Sequence, residues 1–293
     1  MKVFKSYKHQ FGFYLILLLL SLLPKGFSTV SSIQNTYSHK ELFNIELSKF
    51  QNIDDITAHI DGIYSAKHTS SDIDTLTYVN ITSDVIKNRF FHGLSHYSFK
   101  ENWIASFAGK LFWSHLAAIV EPDDILKYNE GLCSQQTIVF LEILKRKGIN
   151  TRWIGLGYKE GPGHFLAEVN YYGKWHLYDI DKEPKWERVT HHHESIDYYR
   201  RHPDSLFLAY DGILRRESFN KIMEKVEYGN VNEFPAKNML LFHRVTKILI
   251  YLLPTFFAAM IIITLFKQKV PAKMIQKTAY KLKTKEKEVE LIE

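Results

Sequence analysis

The longest uncharged stretch of the chain, residues 248–266, reads ILIYLLPTFFAAMIIITLF. A helix of these 19 residues is roughly 28 Å long, about the thickness of a bilayer hydrocarbon core. Pro254 lies inside the stretch, which a membrane helix tolerates better than a soluble one. We therefore predict a transmembrane helix over residues 241–266 and a basic cytoplasmic tail over 267–293. The alternative is a buried core helix.

A second apolar stretch, residues 11–23, reads FGFYLILLLLSLL and follows three lysines. Its 13 residues suit the apolar core of a signal peptide and are short for a membrane span. The following PKGFSTVSS is a poor cleavage site. Two alternatives stay open for residues 1–28: a cleaved signal peptide or an N-terminal membrane anchor.

The distribution of charge predicts topology and partners. Lysines precede the first apolar stretch and eight lysines follow the last. The positive-inside rule then places residues 30–240 outside the cytoplasm, which in a bacterium is the periplasmic side of the inner membrane. Between the apolar ends, residues 24–266 hold 27 basic and 28 acidic side chains. The net charge of +6 thus belongs to the termini and indicates no nucleic-acid surface.

Apolar periodicity predicts an α+β domain between the two apolar stretches. Helices are expected over 41–65, 72–91 and 102–120, within a helical region that we place at 40–128. The core, 129–235, should contain a helix over 133–147, a strand over 151–156 and a hairpin of 164–171 and 174–180. A further helix is expected over 218–228.

Cys133 is the only cysteine, so an intramolecular disulfide is excluded. It lies where the glycine-containing segment EGLCSQQT leads into the predicted helix. The start of a helix favours a thiolate, and the Cys133 backbone N–H could donate to an oxyanion. The alternative is a small buried apolar residue.

A thiolate nucleophile needs a base, and the base needs an orienting group. His164 opens the first hairpin strand. If the turn is Tyr172-Gly173, paired residue numbers sum to 345, which puts Asp181 opposite His164 and Asp179 at the diagonal position. Either aspartate could reach the imidazole, and the pattern alone does not choose between them.

The segments GLCSQQTIVFLEILKRKGINTRWIGLG and GHFLAEVNYYGKWHLYDID resemble the transglutaminase-like superfamily, a branch of the papain-like cysteine enzymes. The shared pattern is G-x-C before a helix, a strand, a histidine that opens the next strand, a tryptophan and an aspartate four residues later. This resemblance implies Cys133 as nucleophile, His164 as base and Asp179 as the orienting acid, with Trp175 as a packing residue. Two features depart from the pattern: Leu166 stands where tryptophan is frequent, and Ser134-Gln135-Gln136 replaces small apolar residues.

The resemblance implies a papain-like fold and acyl transfer or hydrolysis at a protein or peptide amide in the cell envelope, with no cofactor or metal. The alternative is an inactive binding or assembly module. The second oxyanion donor stays open among Gln135, Gln136 and Trp113, and Asp181 is expected at the surface or behind the site.

Two other motifs carry weaker signals. His191, His192 and His193 are adjacent and point in different directions, so we predict a solvated loop there, with a metal-dependent hydrolase as a remote alternative. Asn80-Ile81-Thr82 matches a glycosylation sequon, which matters only in a secretory pathway.

Overall fold

The computed structural model describes residues 2–26, 42–67, 73–157, 163–182, 184–189 and 192–269. Within them the helices are α1 (Lys2–Gly26), α2 (Ile53–Lys67), α3 (Thr75–Arg89), α4 (Phe99–Leu111), α5 (Pro122–Ile125), α6 (Cys133–Arg146), α7 (Ile196–Arg201), α8 (Pro203–Tyr210), α9 (Arg216–Ile222) and α10 (Lys237–Lys269). The strands are β1 (Phe91–His92), β2 (Glu130–Gly131), β3 (Thr151–Gly157), β4 (His164–Tyr171), β5 (Lys174–Tyr178) and β6 (Lys225–Tyr228).

The chain divides into two compact units. One consists of residues 1–30, 98–107 and 244–293, and the other of residues 31–97 and 108–243. In the first unit, the Asn102 side chain donates to Thr246 Oγ1 at 2.8 Å and its own Oδ1 accepts from the Ala105 N–H. Asn102 leaves the helical conformation, so its side chain restarts α4 after a kink as an N-cap does.

α10 contains the predicted transmembrane stretch. Within residues 237–267, an 18-residue stretch has a mean hydropathy of 2.5, and only 11% of that stretch is buried. This helix is therefore long and apolar enough to cross a membrane. The apolar part of α1, His9–Leu22, is shorter than a usual span.

The second unit is built on a four-stranded antiparallel sheet of order β5-β4-β3-β6. β4 and β5 pair from Tyr171↔Lys174 to Ala167↔Tyr178, which confirms the predicted hairpin register. Tyr172 and Gly173 both have positive φ, 51° and 75°, as a two-residue hairpin turn of the I′ type requires.

The core lies on both sides of this sheet. α6 packs against β3 and β4 and against α3. Side chains from alternate strand positions join those of α7, α8 and α9 in one buried apolar cluster: Ile154, Leu156, Leu166, Leu177, Ile196, Tyr199, Leu206, Ala209, Tyr210, Phe219 and Ile222. The α+β prediction, the antiparallel hairpin and the long apolar C-terminal helix are therefore confirmed.

Three predicted helices differ from those observed. The helix expected over 41–65 is a 3-10 turn, Ile45–Lys49, followed by α2, because Asn52 caps the Asp55 N–H at 2.8 Å and begins a new helix. The helix expected over 102–120 ends at Leu111. The chain turns back there so closely that a Cβ at Gly109 would lie 2.6 Å from the Ala117 Cβ.

The helix expected over 218–228 is also shorter. It ends at Ile222, and Lys225–Tyr228 forms β6 along the open edge of β3. Pairing with a sheet edge distant in sequence outweighs the local helical pattern.

Candidate active site

Cys133 is the first residue of α6 and is partly buried. Leu132 before it is extended, with φ −71° and ψ 165°, so the helix begins at the cysteine itself. Backbone N–H groups in the first turn of a helix have no partner within that helix. The Cys133 N–H is one of these groups, so its place in the helix suits the oxyanion donor that the sequence predicts.

Gly131 is needed for space rather than for an unusual backbone angle. A Cβ there would lie 3.1 Å from Gln136 Cγ and 3.4 Å from Phe90 Cδ1. Gly131 also pairs with His92 in the parallel β1–β2 ladder. This pairing brings a histidine from the helical region next to the segment that leads into α6.

Gln135 clamps three backbone segments around the start of α6. Its Oε1 accepts from the N–H groups of Ser95 and Leu132, each at 3.1 Å. Its Nε2 donates to the carbonyls of Ser95 and Ile119, each at 2.8 Å. All the hydrogen-bonding capacity of this buried amide serves the scaffold, which argues against Gln135 as the second oxyanion donor.

His164 connects Cys133 with Asp179. Its Nε2 lies 2.6 Å from Asp179 Oδ2, and the two side chains are 8% and 0% exposed. The Cys133 sulfur lies within 4.8 Å of a His164 ring nitrogen. Because Nε2 faces the aspartate, Nδ1 is the nitrogen that remains for the sulfur.

The Asp179 carboxylate receives three further donors. Tyr210 Oη donates to Oδ2 at 2.5 Å, and the backbone N–H groups of Asp181 and Lys182 donate to Oδ1 at 3.0 Å each. Four donors saturate a buried carboxylate and stabilise its charged form. Tyr210 comes from α8 and was not predicted, since nothing in its local sequence distinguishes it from a core tyrosine.

The charges of the pair follow from these contacts. Burial lowers the pKa of His164, but the charge and hydrogen bond of Asp179, together with Cys133, outweigh burial and raise it. Burial raises the pKa of Asp179, but His164, Tyr210 and the backbone donors outweigh it and lower it. The Tyr210 pKa is raised, mainly by burial. The pair is thus imidazolium and carboxylate at neutral pH, and the cation lies beside the Cys133 sulfur.

Asp181 lies at the site rather than at the surface. Its side chain is 1% exposed, and a carboxylate oxygen lies within 4.8 Å of both the Cys133 sulfur and a His164 ring nitrogen. Oδ1 contacts His92 Nδ1 at 2.7 Å and accepts from Gln136 Nε2 at 3.0 Å. The two aspartates that the hairpin pattern nominated therefore contact different histidines.

His92 was not predicted as a site residue. It lies 89 positions before Asp181 and reaches it only through the β1–β2 pairing. Its side chain is 43% exposed. No pattern around Phe91-His92 indicates such a contact.

The remaining sequence candidates lie as follows. Gln136 Nε2 also donates to the Gly131 carbonyl at 2.8 Å. Trp113 is 57% exposed and packs on His115. Trp175 is partly buried under the Arg152 guanidinium, 4.5 Å from its ring centroid, and Leu166 is buried in the core.

The histidine run is not a uniformly solvated loop. His191 lies outside the described residues, and His192 is exposed. His193 is partly buried, stacks on Tyr178 and contacts Trp186, with ring centroids 4.4 and 4.5 Å away. Its Nδ1 donates to the Leu177 carbonyl at 2.7 Å, so this histidine closes the end of the hairpin.

Comparison of the chain with protein-family models, with curated proteins and with solved structures gave no match. The site must be interpreted from its own geometry.

Proposed function

We propose that this chain is a membrane-anchored cysteine enzyme with a transglutaminase-like, papain-like core that transfers or hydrolyses acyl groups at amide bonds. The observation that carries the proposal is the position of the buried His164. One of its ring nitrogens lies within 4.8 Å of the Cys133 sulfur, and its Nε2 lies 2.6 Å from Asp179 Oδ2. The order along the chain, a cysteine that begins a helix and a histidine that begins a strand, supports the same interpretation.

The chemistry follows from the charges. The Cys133 thiolate attacks the amide carbonyl carbon, and a C–S bond forms as the carbonyl oxygen becomes an oxyanion beside the Cys133 N–H. The C–N bond then breaks, and the His164 imidazolium gives its proton to the leaving amine. The product is a thioester on Cys133, while Asp179 keeps the imidazole oriented.

The second half of the reaction regenerates the thiolate. Water or an amine attacks the thioester, His164 accepts the proton of the attacking group, and the C–S bond breaks. Water makes the protein a peptidase or amidase, whereas an amine makes it a crosslinking enzyme. Both use a protein or peptide amide as acyl donor, and neither requires a cofactor.

For the location, we propose that α10 crosses the membrane and that the core lies on the extracytoplasmic side, in a bacterium the periplasmic side of the inner membrane. Support comes from the length and hydropathy of α10 and from the lysines that flank the two apolar stretches. Basic flanks stay in the cytoplasm.

The test is covalent labelling of the purified full-length chain, in detergent, with a thiol-reactive acylating probe at neutral pH. Wild type should label at Cys133, located by peptide mass spectrometry, and Cys133→Ala should not. His164→Ala should slow labelling by roughly 10²-fold or more, because the thiolate loses its cationic partner.

The matched control is His192→Ala, which removes an exposed histidine and should leave the rate unchanged. Equal labelling of wild type and His164→Ala would refute the triad. No labelling of folded wild type would favour the inactive binding or assembly module instead.

A further inference from the structure

We propose that Cys133, His164 and Asp181 form a binding site for one Zn²⁺ ion, and that the bound ion blocks the nucleophile. The binding itself does not depend on the proposed enzymatic function. The blocking does, because it presupposes that Cys133 reacts.

The three donor atoms have the spacing that such a site needs. The Cys133 sulfur, a His164 ring nitrogen and an Asp181 carboxylate oxygen all lie within 4.8 Å of one another. Zinc bonds of ~2.0–2.3 Å put the ligand atoms of a tetrahedral site roughly 3.3–3.8 Å apart. Small rotations of the side chains therefore suffice to close the site.

The donor set selects the metal. A thiolate and an imidazole favour Zn²⁺ over Mg²⁺ or Ca²⁺, which prefer oxygen ligands. Thiolate and carboxylate together carry two negative charges, which a divalent cation neutralises. Three protein ligands leave a fourth position for water or for a carbonyl oxygen.

The groups behind the ligands orient them as metal sites require. His164 Nε2 faces Asp179 at 2.6 Å, so Nδ1 is presented to the metal by the carboxylate–histidine arrangement that zinc sites commonly have. Asp181 Oδ1 is held by His92 and by Gln136. Both anchoring contacts of Asp181 thus fall on one oxygen.

The second oxygen of Asp181 is an independent indication. Oδ2 is buried and accepts no hydrogen bond from any of the described residues. Its neighbour is Lys182 Nζ at 3.1 Å, close enough for an ion pair but not aligned for a hydrogen bond. Among the described residues this ion pair, rather than a hydrogen bond, compensates the buried oxygen. Lys182 is partly exposed, so it can swing away and leave the oxygen to Zn²⁺.

The test measures metal binding directly. Full-length protein in detergent, freed of metal, is titrated with Zn²⁺ in competition with a chromophoric chelator, and with Co²⁺ to record the thiolate-to-cobalt absorption band. Wild type should bind one equivalent and show that band. Cys133→Ser should lose the band, and Asp181→Asn should weaken Zn²⁺ binding at least tenfold.

Two further variants sharpen the result. Asp211→Asn changes an exposed carboxylate paired with Arg188 and should bind Zn²⁺ as wild type does. Lys182→Met keeps all three ligands and removes the competing cation, so it should bind Zn²⁺ severalfold more tightly. If Asp181→Asn does not fold, Lys182→Met decides: tighter binding supports the site, and unchanged or weaker binding overturns it.

Binding that is absent from wild type, or that is the same in folded Asp181→Asn, overturns the proposal. The enzymatic proposal fails separately. A chain that binds Zn²⁺ through the three ligands but never labels at Cys133 keeps the metal site and loses the enzyme. A chain that labels at Cys133 and does not bind Zn²⁺ keeps the enzyme and loses the metal site. A chain that binds Zn²⁺ through the three ligands but is not protected from labelling overturns the blocking role.

Discussion

His164 Nε2 and Tyr210 Oη meet on the same oxygen of Asp179, at 2.6 and 2.5 Å. The tyrosine comes from α8 and the histidine from the first position of β4, so the carboxylate connects the helices behind the sheet with the end of the hairpin that carries His164. The site and the core share this anchor, and changes at Asp179 or Tyr210 should affect both reactivity and stability.

Asp179→Asn should slow acylation of Cys133 by on the order of 10²-fold or more, because an amide no longer stabilises the imidazolium or selects its tautomer. The rate of probe labelling at neutral pH measures this effect. Asp211→Asn, an exposed aspartate, serves as control. A labelling rate within twofold of wild type would show that Asp179 does not support His164.

Tyr210→Phe should lower the free energy of unfolding by about 1–2 kcal/mol, since Asp179 loses one of its four donors in a buried position. Acylation should slow severalfold as the carboxylate gains freedom. Chemical denaturation and probe labelling measure the two effects. The matched control is Tyr228→Phe, which breaks an exposed hydrogen bond to Asp197; an equal loss of stability in both variants would contradict the role given to Tyr210.

Gln135→Ala should destabilise the fold by about 3–5 kcal/mol. The change leaves the N–H groups of Ser95 and Leu132 and the Ile119 carbonyl without the Gln135 amide, at a position that is 2% exposed. The Ser95 carbonyl loses one donor and keeps the Ile119 N–H. Urea unfolding gives the value. Gln51→Ala removes an exposed glutamine side chain and should change stability by less than about 0.5 kcal/mol, so similar losses in the two variants would refute the clamp.

His193 should make the fold sensitive to mild acid. Burial lowers its pKa from 6.5 to about 4. The hydrogen bond to Leu177 opposes this shift, whereas His192, His176 and Lys87 act in the same direction as burial. A group with a lowered pKa in the folded state protonates more readily when unfolded. Above pH ~6.5 the His193 ring is neutral in both states and does not lower the free energy of unfolding. That free energy falls as the pH drops from ~6.5 toward 4.

The loss should be on the order of 2 kcal/mol, allowing for the partial exposure of the ring. The measurement is the unfolding free energy of wild type and of His193→Asn between pH 7 and pH 4, since asparagine can still donate to the Leu177 carbonyl. The difference between the two proteins should shrink as the pH falls. A difference that is constant over this range would contradict the prediction.

The C-terminal tail should lie in the cytoplasm. A reporter that is active only in the cytoplasm, fused after Glu293, should be active, and the same reporter fused within residues 30–240 should be silent. Replacing the lysines of the tail by glutamine should weaken this orientation. Activity of an extracytoplasmic reporter at Glu293 would reverse the assignment.

Much of the fold could be predicted from local sequence. The uncharged stretch at 248–266 lies within α10. This helix could be predicted because length and hydropathy are properties of the local sequence. α6 begins at Cys133, and the hairpin has the predicted register, because a two-residue turn and strict alternation leave few other pairings. Cys133 and His164 could be nominated in the same way, from a helix start and a strand start.

What only the tertiary structure decided concerns contacts between residues distant in sequence. β6 formed where helix was expected because the edge of β3 offered it backbone partners. The alternation of the strand predicted that either Asp179 or Asp181 could contact His164. In the structure the chain bends after Tyr178, so that Asp179 contacts His164 and Asp181 contacts His92. Tyr210 and His92 carry no local signal, since their roles arise from packing that brings separate elements onto two buried carboxylates. Sequence periodicity determines which elements form and which face is buried, whereas the partners of a buried charge depend on how those elements meet.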